Sequence, residues 1–207
     1  MQFEDHLKPV MPPPGPRPCE NCALRLNSAF LPISADELQA IQSFRKGSRV
    51  VEPGGTIIEE HRASPQLFTL YSGWAFRYKT LRDGRRQILN FLLPGDFLGL
   101  QDEFADSFTH GVEAATTVTL CVFERKDLWD VFRTQPKLGY DITWLAAREE
   151  KMVDDNLVTT GRRNAGERVA MLLMHLYRRA LRVGMERDGW AEFPFNQQHI
   201  ADALGLS

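Results

Sequence analysis

The sequence predicts an α+β fold, with an antiparallel β domain first and a helical half after it. Three observations carry this. Between Gly47 and Glu124, short β-branched or aromatic runs are punctuated by Gly, Pro and Asp turns. After residue 125 the apolar residues recur at helical spacing. A capping box, Ser34-x-x-Glu37, opens one further helix before the strands. The chain has 207 residues, 43% of them hydrophobic and 25% charged, enough for one large domain with a small second one. Its 25 Lys+Arg against 27 Asp+Glu give a net charge of −2. That excludes a wholly basic nucleic-acid coat but not a local basic face. The longest stretch free of Asp, Glu, Lys and Arg is 63–76, too short for a membrane-spanning helix. No apolar secretory region occupies the first 18 residues. Three cysteines are too few for a disulfide scaffold and fit a reducing compartment, so a cytoplasmic location is expected.

Residues 1–18 hold Pro9, Pro12, Pro13, Pro14, Pro16 and Pro18, which remove backbone donors and favour extended chain. A disordered leader is expected there. Leu38, Ile41 and Phe44 follow the capping box and give a helix at about 35–45. Strands are expected at 50–51, 56–58, 67–71, 74–81, 88–93 and 112–123, broken by Pro53-Gly54-Gly55, Ser72-Gly73, Asp83-Gly84 and Pro94-Gly95-Asp96. Asp83-Gly84 suits a type I′ hairpin turn, whose two central residues need positive φ. Such a series makes an antiparallel barrel or sandwich.

The helical half begins with a short helix over 126–134 that stops near Pro136. In the next helix, which runs to about 158, Leu138, Ile142, Leu145, Glu149, Met152 and Asn156 follow in steps of four and three. This 3.5-residue period is that of a coiled-coil seam, with Glu149 and Asn156 as register-setting polar residues. A helix packed on the barrel would show a similar stripe. With no second heptad helix in the chain, self-pairing is favoured, which implies a homodimer with its twofold axis along this helix. Asn164-x-x-Glu167 opens another helix, with Val169, Leu172, Leu173, Leu176 and Leu181 on its apolar side and Gly184 at its end. Residues 162–182 carry Arg162, Arg163, Arg168, Arg178, Arg179 and Arg182 against the single acid Glu167. Alone, this reads as a solvated helix face.

The closing segment, Asn196-Gln197-Gln198-His199-Ile200-Ala201-Asp202-Ala203-Leu204-Gly205-Leu206-Ser207, has the pattern of a first helix and turn of a helix-turn-helix. Asn196 can cap the helix, the small Ala201 permits close approach of a second helix, and Gly205 supplies the positive φ of a tight turn. Together with Leu70-Tyr71-Ser72-Gly73, Asp83-Gly84-Arg85-Arg86-Gln87-Ile88, Pro94-Gly95-Asp96-Phe97-Leu98-Gly99 and Arg163-Asn164-Ala165-x-Glu167-Arg168, it makes residues 19–207 resemble the Crp/Fnr family of bacterial transcription regulators.

That resemblance implies a cyclic-nucleotide-binding-like β-roll sensor over 19–135, a dimerisation helix over 136–160 and a winged helix-turn-helix from 161. The family's recognition helix would start at Ser207, so the helix-turn-helix is expected to be incomplete, cut within the motif. The implied partners are double-stranded promoter DNA at palindromic sites, a second copy of the chain, and RNA polymerase, as for an activator. Asn196, Gln198 and Ser207 are candidate DNA-phosphate contacts; Asn196 and Ser207 read equally well as caps only.

In cyclic-AMP-binding relatives a glutamate follows the Gly-Asp-Phe-x-Gly turn, and an Arg-Ser/Thr pair follows about ten residues later. Here Leu100 holds the first position, and no Arg occurs between Arg86 and Arg125. A buried phosphate without its cation is costly, so the usual cyclic-AMP site is not expected. Glu103 and His110 read as solvated loop residues.

The Fnr branch carries a [4Fe–4S] cluster. The resemblance matches Cys19, Cys22 and the distant Cys121 to its ligands, with Ser28 at the position of another. Four thiolates normally hold such a cluster, and substitutes such as His6, His61 or His110 are not singled out by spacing, so no cofactor or metal is expected. Packing thiols, a Cys19/Cys22 redox switch of lowered pKa and a cluster stay open in that order. Loss of the cluster ligand resembles the FixK-type branch. No nucleophile–base–orienter set or Gly-rich phosphate loop points to an enzyme. The alternative to a transcription factor is a ligand- or redox-sensing cyclic-nucleotide-binding-like module without DNA binding.

Overall fold

Two four-stranded antiparallel sheets face each other across a largely aliphatic core, as alternating apolar strands require. The computed structural model describes residues 19–26, 32–100 and 109–206. The expected leader, Ser28, Glu103 and Ser207 lie outside the described residues. The strands are β1 (Arg45–Val51), β2 (Thr56–Ile58), β3 (Gln66–Ser72), β4 (Ala75–Thr80), β5 (Arg86–Leu92), β6 (Phe97–Leu98), β7 (Gly111–Ala114) and β8 (Val118–Glu124). They pair in the orders β1-β8-β3-β6 and β2-β7-β4-β5. Ile58, Phe68, Leu70, Ala75, Leu92, Val112, Val118 and Leu120 fill the space between the sheets.

The run expected as one strand at 112–123 is two. Residues 115–117 carry the chain from one sheet to the other. The corner is fixed by the Trp74 carbonyl, which accepts from Ala115 N (2.8 Å) and Thr116 N (3.1 Å), and by Trp74 N donating to Thr116 Oγ1 (2.9 Å). Gly73 lies beside it at φ +89°, where a Cβ would sit 2.4 Å from the Thr117 carbonyl oxygen, so only glycine fits.

The Asp83-Gly84 reading also needs correction. Only Gly84 has positive φ, and Gly84 N donates to Leu81 O (2.9 Å), so the loop is a wider turn closed by one left-handed glycine. The two-residue turn with both φ positive is Asp188-Gly189, with φ of 50° and 83°. It joins a hairpin, β9 (Glu186–Arg187) and β10 (Trp190–Ala191), too short for alternation to reveal.

The helices fall close to where periodicity puts them. They are α1 (Ala35–Phe44), α2 (Leu128–Thr134), α3 (Pro136–Arg162), α4 (Ala165–Arg182) and α5 (Gln197–Leu204). Ser34 and Asn164 form the expected capping boxes with Glu37 and Glu167. Asn196 caps α5, its side chain accepting from His199 N, and Gly205 ends α5 at φ 62°. The long α3 starts with Pro136 at its first turn and runs past the expected end to Arg162.

Candidate functional site

The apolar and polar stripe of α3 faces its own chain. Leu138 joins Cys19, Ile41 and Val131 in a buried cluster against which Ile142 packs, and Leu145 is buried. Glu149 reaches Arg77 on β4 at 3.0 Å. Asn156 Nδ2 donates to the Leu89 carbonyl on β5 at 3.1 Å, and Met152 lines the cavity between helix and sheet. The seam reading of these six residues is thereby corrected. A 3.5-residue stripe also suits a helix lying on a sheet, and this sheet is already in contact with it. Away from that stripe α3 exposes Tyr140 (63% exposed), Val153, Leu157 (70% exposed) and Val158, and α2 exposes Trp129.

The helices after α3 fold back onto the outer face of the second sheet. Trp74, Phe76, Ile88, Phe91 and Leu93 pack there with Leu176 and Ala180 of α4, and with Phe193, Phe195 and Ala203. The Phe91 and Phe195 ring centres are 4.0 Å apart, Trp74 lies edge-on to Phe195 at 5.3 Å, and Phe76 meets His199 at 5.0 Å. Gln87 Nε2 donates to the Asp202 carbonyl (2.6 Å), holding the end of α5 to β5.

Asp96, almost wholly buried in the Pro94-Gly95-Asp96 turn, ties three elements together. Its carboxylate accepts from Leu93 N (2.8 Å) and pairs with Arg148 of α3 and Arg179 of α4. Arg179 also donates to the Phe91 carbonyl (2.7 Å). Sequence reasoning singled out neither Asp96 nor Arg179 as a site residue. The signal available was an acid within a Gly-Asp-Phe turn and an arginine at the edge of an apolar helix face. The basic cluster thus divides: Arg179 and Arg168, which donates to the Leu204 carbonyl (3.2 Å), act within the chain, while Arg162, Arg178 and Arg182 are exposed.

A second polar group lies where β4, β5 and β7 meet α3. Burial pushes the Glu149 carboxyl above its ordinary range, against the pull of Arg77. His110, expected in a solvated loop, lies in the bend just before β7 and is buried there. Burial first, then the Arg77 and Lys79 cations, push its imidazole down to about 4, so it is neutral at pH 7.

Cys19, Cys22 and Cys121 all line one small cavity of about 100 Å³ under α3. All three are buried and unbridged. Burial pushes the Cys22 thiol up, and Cys121 up to about 11, the reverse of the lowering expected for a reactive CxxC. Among the described residues no group of three or more His, Cys, Asp or Glu is arranged to hold a metal. With three cysteines in the whole chain, the donor set falls short of the four thiolates that hold a [4Fe–4S] cluster.

On α5, Asn196 is occupied by capping, and the exposed Gln198 donates to Asp202 Oδ1 (2.6 Å) within the same helix. No described helix is long and apolar enough to cross a membrane.

Known proteins bear on this arrangement. The cyclic nucleotide-binding domain family matches residues 48–135, which span most of the strands and α2. The nitrogen fixation regulation protein FixK of Bradyrhizobium diazoefficiens is 34% identical, the match covering 97% of this chain and 84% of that protein. This chain belongs to the Crp/Fnr family, in its Fnr/FixK branch. Family members similar to it include the transcriptional activatory protein AadR of Rhodopseudomonas palustris, 33% identical over 91% of this chain and 78% of that protein. The structure of FixK2 from Bradyrhizobium japonicum superposes with a TM-score of 0.69 at 28% identity, covering 77% of each chain. The β-roll followed by helices is thus the family's architecture, and the relatives are transcription regulators rather than enzymes.

Proposed function

We propose that the protein is a DNA-binding transcription regulator that acts as a homodimer on palindromic promoter sites. The observation that supports this best is the order α4, short hairpin, α5 and left-handed Gly205, attached to a β-roll of the family's type. A helix closed by a glycine turn is how a helix-turn-helix presents its second helix to a major groove. Asn196, Gln198 and Ser207 would lie near phosphates, and the exposed Arg162 would add affinity through counterion release. Activation would use a surface toward RNA polymerase, as the relatives named activators suggest.

Self-association falls to the outward face of α3 in this reading. Val153 and Leu157, one turn apart, leave large apolar side chains exposed near the end of the helix, with Tyr140 exposed nearer its start, and a second copy covers them symmetrically. Cys19, Cys22 and Cys121 act as packing thiols, with no resident cofactor and no metal. The protein works in the cytoplasm. The test is selection of binding sites from random duplexes by the whole gene product, followed by a salt titration. The reading expects two half-sites about one helical turn apart and an affinity that falls steeply with salt. Recovery of no symmetric sequence would contradict it.

A further inference from the structure

On α2 the side chains divide sharply. Val131 is buried, while Trp129 is 81% exposed and Phe132 is 43% exposed. Three residues apart, the two rings share one side of the helix, with about 5–6 Å between their Cβ atoms. Phe132 rests on the next helix, because a Cβ at Gly139 of α3 would stand 2.7 Å from its Cδ1. The two rings offer at most about 400 Å² of surface, well short of the roughly 800 Å² per partner that a stable interface between folded proteins buries. A second folded copy is therefore too large an occupant for them. A short extended segment is not.

The chain holds such a segment close by. On the buried side of α2, Val131 packs in one cluster with Cys19. The ten residues before Cys19 read Pro9-Val10-Met11-Pro12-Pro13-Pro14-Gly15-Pro16-Arg17-Pro18. Proline fixes φ at about −65° and has no N–H, so such a sequence favours polyproline II, a left-handed helix of about three residues per turn. Every third residue then returns to the same edge, about 9 Å along. Pro9 and Pro12 make one such pair, and Pro13 and Pro16 another. An indole and a phenyl ring one helical turn apart span that spacing. Residues 13–18 in this form extend about 19 Å and α2 is about 10 Å long, so the rings lie within reach of a segment that starts from Cys19.

We propose that Trp129 and Phe132 are the docking surface for the chain's own segment 9–18, taken up as a polyproline II helix. Proline rings lie on the faces of the two aromatic rings. The indole N–H, a donor only, meets a backbone carbonyl that this kind of helix leaves without an internal partner. A stiff segment loses little conformational freedom on docking. Its short tether also supplies an effective concentration on the order of 1 mM. A contact with a dissociation constant of about 0.1 mM as a separate peptide then leaves the segment docked in roughly nine chains of ten. DNA binding plays no part in this contact.

The test is fluorine NMR of the full chain carrying fluorotryptophan, with the Trp129 signal assigned through Trp129→Phe. The natural sequence is compared with a variant combining Pro12→Ser, Pro13→Ser, Pro14→Ser, Pro16→Ser and Pro18→Ser. In that variant the Trp129 signal should move to the position of a solvated indole, while the β-sheet circular dichroism stays unchanged. A synthetic peptide of residues 8–18 should return the signal saturably, with a midpoint of about 0.1 mM, and Phe132→Ala should raise that midpoint about tenfold. In the natural sequence the signal should not depend on protein concentration. A Trp129 signal that the proline substitutions leave in place, or a peptide without effect at millimolar concentration, would overturn the proposal. So would a concentration-dependent signal, which would assign the rings to a neighbouring copy.

Discussion

The two faces of the second sheet are built differently. Its inner face meets the first sheet through aliphatic side chains such as Leu92, Val112 and Ala75. Its outer face meets α4 and α5 through aromatic rings, a histidine, a glutamine and the Asp96 node. An aliphatic core has no favourable alternative to being closed, because every opened ångström of it meets water. A contact made of rings, charge pairs and single hydrogen bonds can exchange its partners for solvent at lower cost, as contacts between domains do. The inner face is therefore the permanent one and the outer face the separable one.

The largest expected effect lies on the inner face. Leu70→Ala, at a fully buried position, should cost about 4 kcal/mol and lower the whole unfolding transition without splitting it. Chemical denaturation followed by far-UV circular dichroism checks this.

Acid should come next. His110 is neutral in the native state, with its pKa lowered to about 4 from an ordinary 6.5. Between those values the unfolded chain binds the proton and the native one does not. The full stability is therefore present above about pH 6.5 and is lost as the pH falls toward 4, by about 3 kcal/mol in all. The raised Glu149 pKa works in the opposite sense, because the native state then takes up that proton first and offsets part of the loss. His110→Gln should flatten the stability profile over this range.

A smaller effect separates the two faces. Asp96→Asn keeps an acceptor for Leu93 N but removes the charge that holds Arg148 and Arg179. Both arginines are partly solvated, so the cost is about 2 kcal/mol rather than that of a fully buried pair. The loss should fall on the outer contact, with α4 and α5 released before the β-roll unfolds. A two-step denaturation curve would show it. The smallest effect belongs to Gln198→Ala. This exposed i,i+4 pair is worth about 0.3 kcal/mol, so promoter affinity should change while the melting temperature does not.

The inner face could be read in the sequence, and the outer one could not. Alternation and turn residues place β3, β4 and β5 within a residue or two, because a strand with a buried face writes its period into the chain. Capping boxes at Ser34 and Asn164 fix two helix starts for the same local reason. The stripe from Leu138 to Asn156 shows where this reading ends. Periodicity identifies the face of α3 that is covered but not what covers it, and the β-roll of the same chain supplies what a second helix was expected to. His110 escaped because a histidine between Thr109 and Gly111 looks like loop, and its burial comes from strands distant in sequence. Asp96 escaped for a similar reason, since its partners lie 52 and 83 residues away.

The account turns on the outer face of the second sheet holding α4 and α5 in place by a contact that can let go. Trp74 reports on this directly, being 4% exposed against Phe193 and Phe195. With Trp129, Trp144 and Trp190 each replaced by Phe, acrylamide quenching of the remaining tryptophan should be weak, and should rise toward that of a solvated indole when Arg179→Ala is added while the β-sheet circular dichroism stays unchanged. Strong quenching before that substitution, or none after it, would contradict the account.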